Sequence, residues 1–139
     1  MDVQINYLAV LLAMVSSMVV GSVWYAQSVF GKTWAKLAKV DMKKGQGNVF
    51  KPIATTVVVS LITAYVLAHV AYLSNQFFDN SFLQDSITTA FWLWFGLTAA
   101  RFVTHDAFEG RPAKLTAINC AHELVTLLVM GVIIGLFGA

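Results

Sequence analysis

The sequence predicts an all-α fold, a bundle of four transmembrane helices with a short amphipathic interfacial helix after the first span. Three observations predict it. Of 139 residues, 58% are hydrophobic and only 12% charged, with a mean hydropathy of +0.72, whereas soluble domains carry about 25% charged residues. A water-soluble domain of this length could not bury so much apolar surface. Four apolar segments reach the roughly 20 residues that a helix needs to cross a bilayer core. The basic residues are also confined to alternate connections, the pattern that sets membrane orientation. One domain over residues 1–139 is expected at this length.

The first span is placed at about 5–29, inside the charge-free run Val3–Gly31. That run lacks a basic n-region and is too long for a secretory signal, so it reads as a retained span. A basic connection over 31–51 follows, then spans at about 52–74, 83–105 and 112–137. The single cysteine, Cys120, excludes an internal disulfide and reads as a small packing residue.

Orientation follows from charge. Lys32, Lys36, Lys39, Lys43, Lys44 and Lys51 lie between spans one and two, and Arg101, Arg111 and Lys114 lie near the connection between spans three and four. The remaining connection has Asp79 and Asp85 and no basic residue. All nine Lys and Arg then fall on one side, with both termini outside the cytoplasm.

Within the basic connection, Lys32, Lys36, Lys39 and Lys43 recur at helical spacing, with Phe30, Trp34 and Leu37 on the opposite face. This predicts a short helix lying on the bilayer, its lysines directed to anionic lipid headgroups and ending near Asp41 before the loop Gly45–Asn48. No aromatic or glycine pattern of a nucleic-acid module accompanies the lysines, so nucleic acid is not an expected partner. Trp24, Tyr25, Phe30 and Trp34 read as one interfacial aromatic belt. Small residues recur every fourth position: Ala13, Ser17 and Gly21; Ser60, Ala64 and Ala68; Gly131 and Gly135. Such faces let helix backbones approach closely in lipid. For the first two sets, packing inside the bundle is expected. For Gly131 and Gly135, a homo-oligomer contact is expected.

The ionisable groups inside apolar sequence concentrate between Thr98 and Thr126. Thr116, Asn119, Glu123 and Thr126 form one helical stripe, with His122 on its margin. Glu123 lies roughly 16 Å along its helix from Pro112, near mid-membrane. Thr98, Arg101 and His105 share a face of span three, which brings Arg101 to the level of Asn119. The candidate buried polar cluster is therefore Arg101, His105, Asn119, His122 and Glu123, above a cytoplasmic turn with Asp106, Glu109 and Arg111.

An intramembrane charge costs about 3 kcal/mol and must face a partner or water. Either Arg101, Asn119 and Glu123 form a neutralised structural network, or Glu123 serves as a proton or cation site. No metal and no cofactor is expected. His122 and Glu123 point about 100° apart on a helix, and no metal-protease spacing is present. His69, about 25 Å along span two, reads as an interfacial histidine. No residue is assigned a catalytic role, since no nucleophile elbow, phosphate loop or paired-carboxylate pattern occurs.

Two stretches together resemble a family of small bacterial membrane proteins, domain-of-unknown-function family 1761. They are Trp24-Tyr25 with Phe30-Gly31-Lys32-x-Trp34, and Phe108-Glu109-Gly110-Arg111-Pro112 with Leu115, Ile118-Asn119 and Met130-Gly131. Members often carry Ser-Pro after the Trp-Tyr pair, where this chain has Ala26-Gln27. The resemblance covers nearly the whole chain and implies a four-span protein of the bacterial inner membrane, with no activity attached. The functional reading is a small oligomeric transporter or channel for a small solute or ion. A structural or assembly protein is the alternative, and a membrane-embedded enzyme is the third.

Overall fold

A computed structural model describes residues 3–40, 50–78 and 80–139. Lys43 of the lysine stripe, Lys44, Asp41, the Gly45–Asn48 loop and Asp79 lie outside the described residues. The helices, in chain order, are α1 (Tyr7–Trp24), α2 (Gly31–Ala38), α3 (Phe50–Phe77), α4 (Phe82–Leu93), α5 (Ala100–Phe108) and α6 (Ala113–Phe137). A π-helical run, Trp94–Ala99, joins α4 to α5. Among the described residues there is no strand.

Three helices, α1, α3 and α6, are long and apolar enough to cross a membrane, as an integral membrane protein requires. The third expected span, 83–105, is helical but divided among α4, the π run and α5. A π turn takes up an extra residue and re-phases the helix beyond it. As a result α4 buries Asp85, Ser86, Thr89 and Ala90, whereas α5 buries only Asp106.

Helix ends follow local chemistry. Asn6 caps α1 by accepting from the Ala9 N–H at 3.2 Å, and Ser81 caps α4 by accepting from the Gln84 N–H at 3.2 Å. The first helix stops at Trp24, earlier than the span expected to residue 29, because the chain folds back on itself. The Phe30 N–H donates to the Trp24 carbonyl and the Gly31 N–H to the Ala26 carbonyl. A Cβ on Gly31 would collide with the Tyr25 carbonyl oxygen, so only glycine closes this turn.

At the other turn, α5 ends in a Schellman motif. Gly110 takes φ +64°, the Gly110 N–H donates to Ala107 and the Arg111 N–H donates to Asp106. Pro112 follows, where a helix cannot continue back, and α6 starts after it. The Phe108–Pro112 segment is thus a helix stop followed by a helix start.

Val10 and Ala13 from α1, Ala64, Leu67 and Ala68 from α3, Ala90 from α4, and Leu127, Met130 and Ile134 from α6 form one core. The small residues Ala13, Ser17, Ser60, Ala64 and Ala68 are buried within it or beside it, as expected for the first two sets. The glycine pair of α6 differs from expectation. A Cβ on Gly131 would lie 2.9 Å from the Ser86 carbonyl oxygen, and one on Gly135 would lie 2.6 Å from Leu83 Cα. That face is already filled by α4 and is not free to contact another copy.

In cross-section, α1 packs against α3 and α6, and α4 packs against the same two helices from the other side. The diagonal pair α3 and α6 makes far less contact, and there the interior opens. At one end Asn6 Nδ2 donates to the Phe137 carbonyl at 3.2 Å, joining the start of α1 to the end of α6. At the opposite end α2 lies against the start of α6, with Lys39 beside the Glu109–Pro112 turn.

Candidate functional site

A half-open cleft of about 570 Å³ lies between α1, α3 and α6. From α1 it takes Ser17, Met18, Gly21 and Ser22, from α3 Thr55, Thr56, Val59, Ser60 and Thr63, and from α6 His122, Glu123, Thr126 and Met130. Tyr25, just beyond α1, stands at its rim. Helical periodicity puts these residues on facing stripes, so three apolar helices bring hydroxyls and an ionisable pair to one cleft, between apolar side chains.

Glu123 and His122 are the ionisable pair of this cleft. His122 Nδ1 lies 3.1 Å from Glu123 Oε1, and His122 Nε2 lies 3.5 Å from Thr126 Oγ1. The Glu123 side chain keeps 34% of its exposure, against 13% for His122. With Glu123 ionised, the Nδ1–H tautomer satisfies both contacts, donating to the carboxylate and accepting from Thr126. Gly21 lies beside the imidazole, where a Cβ would sit in ordinary contact, 3.6 Å from His122 Nε2. The Tyr25 and Trp24 rings flank His122 at centroid distances of 4.9 and 6.0 Å.

Asn119, one turn earlier on α6, ties the fold-back to the bundle. Its Oδ1 accepts from Trp34 Nε1 at 3.0 Å and from the Tyr25 hydroxyl at 3.4 Å. Trp24, Tyr25 and Trp34, expected as an interfacial aromatic belt, also pack against α6. Lys32 and Lys36 are exposed on α2, and Lys39 is the left-handed residue that ends it, with φ 55°. The helix stops three residues short of Asp41 and is docked by Trp34 as well as being amphipathic.

Arg101 and His105 lie elsewhere. Both are exposed and line a separate cleft of about 400 Å³ with Asp106, Glu109 and Arg111. Of the two reaches open to Arg101 by depth, toward Glu123 or toward Asp106 and Glu109, it takes the second; among the described residues the ionisable partner of Glu123 is His122. Asp106 is 6% exposed and accepts from Thr116 Oγ1 at 2.6 Å, with Arg111 Nε 3.7 Å away. Arg111 is shared with Glu109 at 2.6 Å. The Thr116–Asn119–Glu123–Thr126 stripe does face inward, but it serves three separate partners. Thr116 meets α5, Asn119 meets the fold-back, and Glu123 with Thr126 faces the cleft.

Two polar features were not legible beforehand. The hydroxyl wall of α3 follows a helical spacing, Thr56, Ser60 and Thr63, that also reads as small-residue packing. Asp85, 3% exposed, accepts from Asn75 Nδ2 at 2.8 Å and Asn80 Nδ2 at 3.1 Å, closing the α3–α4 turn. His69 sits away from the cleft with its ring 6.2 Å from Tyr65. Among the described residues no three His, Cys, Asp or Glu side chains come together to hold a metal ion.

The family described as "Protein of unknown function (DUF1761)" matches residues 8–135. The chain belongs to this family. Within the matched residues, the Trp24-Tyr25 and Phe30-Gly31-Lys32-x-Trp34 stretches meet Ile118-Asn119 at one point, the Tyr25–Trp34–Asn119 cluster beside His122. No curated protein and no solved structure matches the chain.

Proposed function

We propose that this protein is a small transporter or channel, working as a homo-oligomer, whose solute site is the cleft at His122 and Glu123. The observation that carries the reading is the incompletely satisfied Glu123 carboxylate on an apolar helix, facing a cleft lined by hydroxyls and apolar side chains and large enough for a small solute. An ionisable group inside a membrane segment is expensive, and a site open to solute is the usual reason for keeping one. The polar path suggested by sequence narrows to His122 and Glu123, because Arg101 lines another cleft and Asn119 is held by Trp34 and Tyr25.

In this reading α4, the π run and α5 together make the fourth crossing of a four-helix bundle. Their 27 residues, Phe82–Phe108, extend about 40 Å at the helical rise. The ends of the molecule support the topology: Lys32, Lys36 and Lys39 lie at the same end as Arg111 and Lys114, while Asn6 and Phe137 meet at the other. The basic end then faces the cytoplasm of the bacterial inner membrane, with exposed lysines at anionic headgroups. Four helices enclose little pathway by themselves, so several copies assemble.

The test is solute-gradient electrophysiology on proteoliposomes. Small cations, anions and zwitterions are applied in turn to the wild-type chain and to Glu123→Gln. A flux or current in the wild type that Glu123→Gln abolishes supports the reading. Absence of flux for every class sinks it and leaves the assembly protein.

A further inference from the structure

We propose that the cleft is a binding site for a protonated organic amine. This deepens the transport reading and rests on the same cleft. The argument turns on which way the hydroxyl hydrogens point.

A serine or threonine hydroxyl has one hydrogen and two acceptor lone pairs. Of the six serine and threonine hydroxyls that α1 and α3 bring to this cleft, all but that of Ser60 spend their hydrogens on the helices that carry them. Ser17 donates to the Met14 carbonyl at 2.7 Å and Ser22 to Met18 at 2.7 Å. On the facing helix Thr55 donates to Lys51, Thr56 to Pro52 and Thr63 to Val59, each at 2.9 Å. Back-bonding of this kind is how a hydroxyl satisfies its hydrogen in an apolar helix. Five hydroxyl oxygens on two walls therefore present acceptor capacity and no donor. The third wall presents the Glu123 carboxylate, which only accepts when ionised.

Donors on the other side of this balance are few. No Lys or Arg lines the cleft among its described residues. The Tyr25 hydroxyl is directed to Asn119, and a neutral His122 uses its N–H on Glu123. An anion entering here would lose its hydration and meet acceptors, a costly arrangement. An ammonium group brings up to three N–H donors to walls on which five of six hydroxyls can only accept, and a positive charge to Glu123. The Tyr25 ring at the rim adds a face for a cation.

Size separates an organic ammonium from a bare metal cation. An alkali or alkaline-earth ion needs several oxygens converging within about 2.6 Å. Here the oxygens lie on opposing walls of a space of about 570 Å³. The apolar part of an alkylammonium would occupy the remainder, against Met18, Val59 and Met130, where methionine side chains adapt to an irregular shape.

The test is calorimetric titration of the purified full-length chain in detergent with n-butylammonium chloride and, separately, sodium butyrate. These probes share size and apolar tail and differ in charge and hydrogen-bonding sense. Butylammonium should bind and butyrate should not. Glu123→Gln should weaken butylammonium binding by about tenfold or more, the size of a charge-assisted hydrogen bond. Thr56→Val, which keeps shape and removes an acceptor, should weaken it less. Equal or better binding of butyrate, binding of neither probe, or butylammonium binding unchanged in both variants overturns the proposal. Amine binding without flux in proteoliposomes would sink transport and leave this ligand class standing. Flux of an anion with no amine binding would do the reverse.

Discussion

The two faces of α6 behave as different materials. One face, through Gly131 and Gly135, lies so close to α4 that an added methyl would reach backbone atoms of Ser86 and Leu83. The other, through His122, Glu123 and Thr126, stands back from α3 and leaves a cleft. Lipid gives helices no hydrophobic reason to associate, so association rests on close dispersion contact where side chains are small. The glycine face supplies that contact. The opposite face can then remain open without the bundle coming apart. Carboxylates divide in the same way. Asp106 and Asp85 are buried, and each has partners on both oxygens, from Thr116 and Arg111 and from Asn75 and Asn80, whereas among the described residues Glu123 is partnered by His122 on one oxygen and faces the cleft. A saturated carboxylate holds structure; an unsaturated one beside a cavity is available to a ligand.

Substitutions can break this division, and the glycine face should yield the largest effect. Gly135→Leu puts a side chain where Leu83 Cα is 2.6 Å from the first added carbon, and backbone cannot retreat as a flexible side chain could. It should destabilise the folded chain by about 3 kcal/mol or more, seen as a large fall in unfolding midpoint in detergent. Loss of assembly with an unchanged midpoint would instead place Gly135 between copies.

Asp106→Ala comes next. It leaves the Thr116 hydroxyl without its acceptor and Arg111 with Glu109 alone, and should cost about 2 kcal/mol. Solute flux should survive in the fraction that folds, since Asp106 lies outside the Glu123 cleft. Flux lost at full stability would connect the two clefts.

Asn119→Leu removes the acceptor shared by Trp34 and Tyr25. Interhelical hydrogen bonds in membranes are worth about 0.6 kcal/mol on average, so a loss of about 1 kcal/mol is expected. Limited proteolysis with trypsin should detect α2 lifting from α6, with faster cleavage at Lys32, Lys36 and Lys39. An unchanged cleavage rate would mean that packing of Trp34, and not its hydrogen bond, docks α2.

The smallest expected effect is a coupling. Arg101 is exposed and lines a different cleft from Glu123, so Arg101→Gln and Glu123→Gln should change stability additively within about 0.5 kcal/mol. A double mutant milder than either single change would restore the ion pair, close the cleft site chemically, and favour the assembly role.

Much of the architecture was legible from composition and spacing. Apolar runs of bilayer length marked α1, α3 and α6, and Gly110-Arg111-Pro112 marked a helix stop and restart, because a left-handed cap and a missing N–H act locally. Small-residue repeats marked the packing faces of α1 and α3. The inward stripe of α6 was legible too, since side chains three or four residues apart share a face whatever the tertiary structure.

Partnership was decided only by the tertiary structure. Arg101 and Glu123 were plausible partners by depth, but the π run re-phases the helix between α4 and α5, and no periodicity in the sequence announces it. Trp34 and Tyr25 have the composition of an interfacial belt, yet a fold-back closed by Gly31 turns them onto Asn119. Whether Gly131 and Gly135 meet another copy or their own chain depends on where α4 packs. Periodicity tells a residue which way to face on its own helix, and distance across helices, which tells it what it faces, is set by how the whole chain closes.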